Sequence, residues 1–244
     1  SLLIFALFVT YVASDSVDYC DSEHQALCLK WNGKVFTQKQ HIGCNHPGWA
    51  EVCQHHKILP MSTKRKNLLL KLHNRLRNKV AAGKLRGFES ASAMNTLVWD
   101  DELAYLAELN VKQCYIEHDE CRATKRFNYA GQNLGIYGQL PALVGLNNAH
   151  ITKMIRDMFD EYKDADMSYI NSYRSHRSGK KIGHFTAIVR DKSTHVGCAI
   201  ARYFGKMEPG DQIKDHFMFL LACNYANTNM SGQPIYISVS IVAG

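Results

Sequence analysis

The chain has 244 residues, 46% of them hydrophobic, and a formal net charge of +7. That length suits one large domain with a small appendage, and the apolar fraction is ample for a core. Its 29 lysines and arginines are spread along the chain without interleaved aromatics, so the charge reads as solvated surface and speaks against a nucleic-acid partner.

Residues 2–13 form an apolar run of secretory length, too short to span a bilayer comfortably, with small residues after it at Val12-Ala13-Ser14. This predicts a signal peptide over residues 1–14, cleavage after Ser14 or Ser16, and a secreted, extracellular product. No other stretch is long and apolar enough to be a transmembrane segment. In such a compartment the eight cysteines predict four disulfides and no free thiol, although spacing alone leaves roughly a hundred pairings. A zinc-finger reading fails for want of any Cys-x-x-Cys pair.

Residues 15–60 are rich in Cys, Gly, His and Asn with little periodicity, and are predicted as an irregular extension held by disulfides. His41, His46, His55 and His56 fall here without the spacing of a tight metal site, so they are expected as exposed loop histidines. Beyond residue 61 the pattern changes. Ser62 is an N-cap for a helix to about Ala82, with Leu69, Leu72, Leu76 and Val80 on one stripe and Gly83 at its end. A second helix opens at Asp100 and aligns Leu103, Leu106, Ala107, Asn110 and Cys114. A third shows the clearest period, Ile151, Met154, Ile155, Met158, Phe159 and Tyr162, a stripe that reads as core packing and not as a soft-metal or lipid surface. Glu161 lies at the edge of that stripe, where it can face a cleft.

Residues 183–199, Gly-His-Phe-Thr-Ala-Ile-Val-Arg-Asp-Lys-Ser-Thr-His-Val-Gly-Cys-Ala, read as a β-hairpin. A period of two puts His184, Thr186, Ile188 and Arg190 on one face of its first strand, the candidate functional face. The second strand continues through Val196, Cys198, Ile200 and Arg202. Phe217, Phe219, Leu221, Cys223 and Tyr225 offer a strand to pair with it, so that Cys198 and Cys223 can staple the two. Between them, Pro209-Gly210-Asp211 reads as a turn.

Gly-His-Phe-Thr at 183–186, His-Val-Gly-Cys-Ala at 195–199 and Leu-Leu-Ala-Cys-Asn-Tyr-Ala at 220–226 resemble the two signature regions of the CAP superfamily of cysteine-rich secretory, insect antigen 5 and plant pathogenesis-related proteins. Thr-Leu-Val-Trp-Asp-Asp-Glu-Leu-Ala-Tyr at 96–105 and the eight-cysteine layout are similar to the insect antigen 5 branch. Arg190 is a departure, standing where the family usually has Trp. The resemblance implies an α+β fold, a three-layer α-β-α sandwich over residues 61–244 with the extension stapled to it. It also implies the pairing Cys20–Cys44, Cys28–Cys121, Cys53–Cys114 and Cys198–Cys223. His73, in a pattern that is mostly structural in the family's first helix, is left outside the site.

The same resemblance implies a cleft lined by His118, Gln132, Glu161 and His184, with Gln132 where many relatives have Glu. His118, His184 and Glu161 could still hold zinc or copper weakly, while an amide oxygen is a poor ligand; a hydrogen-bonded polar cluster with no metal is the equal alternative. No cofactor is required on either reading. Nucleophile, base and oxyanion stabiliser are not assembled by any motif, so the chain is expected not to be an enzyme, with a metal-dependent hydrolase or redox activity at the cleft as the alternative. What the resemblance implies instead is a secreted, monomeric protein of insect saliva or venom type. It would bind a small hydrophobic ligand, or a receptor or channel of another organism.

Overall fold

The computed structural model describes residues 17–31, 33–140, 145–205 and 216–239; the proposed signal peptide and Pro209-Gly210-Asp211 lie outside them. In chain order the elements are α1 (Ser22–Leu27), β1 (Leu29–Trp31), β2 (Phe36–Gln38), β3 (Gln54–Ile58), α2 (Thr63–Ala81), β4 (Ser90–Ala91), β5 (Val98–Trp99), α3 (Asp101–Val111) and β6 (Gly131–Gln139). Then come α4 (Asn148–Asp160), a 3-10 turn (Glu161–Asp164), α5 (Met167–Asn171), α6 (Gly183–Ile188), β7 (His195–Gly205), β8 (His216–Tyr225) and β9 (Ser238–Val239). Side chains start the long helices: Ser62 accepts from the Arg65 amide and Asp100 from that of Leu103, as expected, and Asn147, which the sequence reading did not single out, closes a capping box with His150.

The central sheet runs β3-β7-β8-β6, all antiparallel, with β5 joining β7 in parallel. Its alternation builds the layers. Val196, Cys198, Ile200, Phe219, Leu221, Cys223 and Tyr225 point into a core shared with α2, α4 and α6, while Ala199, Ala201, Tyr203, Met218, Leu220 and Ala222 point into a second core shared with α3. A sheet buried on both faces between helices is the three-layer α-β-α sandwich. The layers meet closely: a Cβ on Gly197 would collide with the α3 backbone at Asp100 and Ala104. Cys198 and Cys223 are register partners on β7 and β8 and are bridged. The other bridges are Cys20–Cys44, Cys28–Cys121 and Cys53–Cys114, the pairing that the resemblance implied.

Two expectations are corrected. Residues 183–188 are a helix, α6, and not the first strand of a hairpin. The reason is tertiary: no local side chain caps this segment, but Glu161 Oε2, from the end of α4, accepts from the amides of His184 (2.8 Å) and Phe185 (3.3 Å). With its first amides satisfied, the helix buries Phe185 and Ile188, three residues apart, against α2 and α4, and this outweighs the β-prone composition. The extension is also more regular than expected. It holds α1, the separate β1–β2 hairpin and β3, which lies on the edge of the main sheet, and its His41 is fully buried although expected exposed; His55 and His56 are exposed.

Two buried arginines hold the chain around the start of β7. Arg77 on α2 donates to the carbonyls of Asn95, Ile188, Arg190 and Ser193. Burial pushes its pKa down to about 10, still well above neutrality. Arg190, in place of the family's usual Trp, is fully buried and does not share a strand face with His184. Its guanidinium reaches Asn227 Oδ1 (2.7 Å), the Pro234 carbonyl and Gln233 Oε1, so it ties the segment after β8 by hydrogen bonds instead of aromatic packing.

Candidate functional site

An open cleft of about 680 Å³ lies beside the edge strand β6 and brings together His118, Gln132, Glu161 and His184, the four residues expected there. Each arrives from a different element. His118 sits in the loop after α3, between the anchoring cysteines Cys114 and Cys121; Gln132 is on β6, Glu161 ends α4 and His184 opens α6.

The hydrogen bonds fix their protons. Gln132 donates its amide NH2 to Asp119 Oδ2 (2.8 Å) and Asn224 Oδ1 (3.0 Å), so its Oε1 can only accept, and it lies 2.7 Å from His118 Nδ1. His118 is therefore an Nδ1–H tautomer with Nε2 as a bare lone pair. The ring reaches water at the cleft mouth, yet the surrounding protein costs the imidazolium hydration and lowers its pKa, with the Gln132 bond opposing in part. The second pair is analogous. His184 Nδ1 lies 2.8 Å from Glu161 Oε1, which accepts a hydrogen bond from Nδ1–H, so that in the neutral ring Nε2 carries the lone pair.

Both carboxylate oxygens of Glu161 are thus engaged, one by the His184 ring and one by the α6 amides. Glu161 orients His184 and could reach a metal only by giving up one of these bonds. Each of the two imidazoles donates Nδ1–H to a fixed acceptor, the orientation that metal-binding histidines use, but His118, His184 and Glu161 are not a set whose ligand atoms gather within 4.8 Å. Among the described residues one set of three potential metal-ligating groups gathers within 4.8 Å, Cys28, His41 and Cys121. Its sulfurs are joined in a disulfide and have no thiolate to offer, and both His41 nitrogens are already hydrogen-bonded.

Several residues behind the cleft escaped the sequence reading. Asp119 holds Gln132 and is itself held by Asn110 Nδ2 and Arg122. Asn133 Nδ2 donates to the His184 carbonyl (3.0 Å) and to Tyr225 Oη (3.2 Å). Tyr225 in turn donates to His73 Nε2 (2.9 Å), whose Nδ1–H is given to the Leu69 carbonyl (2.8 Å). Asn224 and Tyr225 stand within the signature stretch at 220–226, the one signal that pointed near them. Above the cleft, the loop between α5 and α6 adds Tyr173, His176, Lys180 and Lys181 to the lining.

Comparison with known proteins agrees with this architecture. A family model described as the cysteine-rich secretory protein family, CAP, matches residues 70–225. The chain is 52% identical over 208 residues to the "Antigen 5 like allergen Cul n 1" of Culicoides nubeculosus, covering 84% of this chain and 91% of that one. It is 40% identical over 230 residues to "Venom allergen-1" of Aedes aegypti, covering 92% and 81%. The crystal structure of NaASP2 with Zn2+ superposes with a TM-score of 0.55 at 21% identity, over 79% of this chain and 92% of that one, a likeness of fold.

Proposed function

Because the chain belongs to the cysteine-rich secretory protein (CAP) family, we propose that it is a secreted, antigen 5-like protein that acts by binding and not by catalysis, taking a small hydrophobic ligand or a receptor or channel of another organism. Relatives named as an antigen 5 like allergen and a venom allergen support the saliva or venom setting. The observation that carries the non-catalytic reading is that, among the described residues, no hydroxyl or thiol is hydrogen-bonded to the bare Nε2 of either cleft histidine, while the carboxylate and amide beside them are already committed. Glu161 spends both oxygens on holding α6, and Gln132 can neither take up nor release a proton, so no carboxylate is left as a general base. On this reading Ile116, Leu134 and Ile182 give the cleft an apolar wall for a hydrophobic ligand.

A second role is carried by the two bare Nε2 atoms: weak, reversible binding of zinc or copper by His118 and His184, with Glu161 fixing the His184 tautomer. Mass spectrometry of lipids retained by protein purified from its native source tests the binding function, and a retained lipid near one per chain is expected. Hydrolysis of ester or peptide substrates with turnover that disappears in Glu161→Gln or His184→Ala would overturn it.

A further inference from the structure

The β1–β2 hairpin stands apart from the central sheet as its own two-stranded unit, with every residue of β2 exposed. Phe36 at 67% is the most exposed large hydrophobic side chain among the described residues, and Val35 and Leu29 beside it are about half exposed or more. The register Leu29↔Gln38, Lys30↔Thr37, Trp31↔Phe36 places Leu29 and Phe36 on one face of the ribbon and Lys30 on the other. Residues 28–40 contain three lysines and no carboxylate. Lys30, Lys34 and Lys39 all reach the surface, Lys30 and Lys34 as exposed residues and Lys39 in an ion pair with Glu120. Partial burial, with Arg122 and Lys39 close by and Asp119 and Glu120 opposing in part, holds the Lys30 pKa below the ordinary lysine value.

The hairpin is rigid at its root. The Cys28–Cys121 bridge ties it to the domain, and the Lys39 amide donates to the Cys28 carbonyl at 2.9 Å. An exposed aromatic and aliphatic tip on a fixed stalk, flanked by lysines, has the composition of a membrane-interface anchor: apolar groups enter the headgroup boundary and lysines meet anionic lipid. A sulfated polysaccharide would use the lysines but has no need of Phe36 and Leu29.

We propose that the β1–β2 hairpin is a docking finger for anionic phospholipid bilayers, with Leu29, Val35 and Phe36 inserting at the interface and Lys30 and Lys34 contacting the headgroups. A partner restrained by its disulfides loses little conformational freedom on docking, so a small finger suffices for reversible attachment. The anchor is distant in purpose from the cleft and holds whether or not the cleft takes a lipid.

The test is flotation of the mature, oxidised protein with vesicles of phosphatidylcholine alone and of phosphatidylcholine with 30 mol% phosphatidylserine. Binding is expected only to the anionic vesicles and should weaken with added salt. Lys30→Glu/Lys34→Glu should weaken it by at least about 25-fold, from about fivefold for each lysine. Leu29→Ser/Phe36→Ser should weaken it by about tenfold, and both variants, altered only at exposed positions, should keep the wild-type melting temperature. Failure to float with anionic vesicles would overturn the proposal. Equal binding by the Leu29→Ser/Phe36→Ser variant would also overturn it, because attraction would then be electrostatic alone. Retention on heparin beads that depends on the lysines but not on Phe36, without vesicle binding, would assign the finger to polysaccharide instead.

Discussion

Five histidines fall into two groups that differ in one respect. His41, His46 and His73 use both ring nitrogens. His41 gives Nε2–H to the Ala123 carbonyl and accepts from the Gly43 amide, His46 does the same with Leu109 and Gly48, and His73 bridges Leu69 and Tyr225. His118 and His184 use only Nδ1, against Gln132 and Glu161, and turn Nε2 toward the cleft. A fully satisfied imidazole is a structural tie, whereas one oriented by its Nδ1–H and bare at Nε2 is available to a ligand. Residue type and burial do not separate the two groups; the count of engaged nitrogens does.

The sharpest way to break this comparison is to remove a histidine from the structural group. His73→Ala leaves a cavity in the core and the buried Tyr225 hydroxyl without its acceptor, so unfolding by guanidinium should show a loss of about 3–4 kcal/mol. A loss below about 1 kcal/mol would place His73 outside the group of structural ties. His118→Ala, at the exposed mouth of the cleft, should cost much less in the same assay.

Acid offers a test of nearly the same size. Burial holds the His73 pKa down at about 4, while in the unfolded chain it lies near its ordinary value of 6.5. The unfolded state therefore takes up the proton first as pH falls. The stabilisation is complete above about pH 6.5 and is lost between there and pH 4, by about 3 kcal/mol for this residue. Burial lowers the His41 and His46 values as well, so they act in the same direction. Stability measured from pH 7 to 4 should fall steeply in the wild type and less steeply in His73→Gln.

Gln132 sharpens the contrast from the cleft side. Its amide donates to Asp119, so Gln132→Glu would set two carboxylates against each other unless one keeps a proton. A loss of about 1–2 kcal/mol at pH 7, shrinking toward pH 5, is expected from thermal melts. For the ligand-facing nitrogens, calorimetry with zinc should show an affinity reduced about tenfold or more in His118→Ala or His184→Ala and unchanged in His46→Gln.

Much of the fold was legible because its signals are local. Ser62 and Asp100 start two helices, the apolar stripes of all three long helices repeat every three to four residues, and alternation along 195–205 and 216–225 marks the two central strands. What failed was set at a distance. The 183–188 segment is helical because a carboxylate more than twenty residues earlier caps it, and His41 is buried because its acceptor, Ala123, lies eighty-two residues on. The cleft set came from the family resemblance and not from spacing, since His118 sits in a loop and the other three residues belong to separate elements. No periodicity could have found Asp119, which shows in sequence as one more acid in a loop.

The most direct measurement is long-range proton–nitrogen NMR of the imidazole rings in 15N-labelled protein near pH 7.5, with and without zinc. His118 and His184 are predicted to be Nδ1–H tautomers whose unprotonated Nε2 resonances shift on zinc addition, while the ring signals of His41, His46 and His73 stay in place. An Nε2–H tautomer at either cleft histidine, or zinc shifts confined to histidines outside the cleft, would contradict the account.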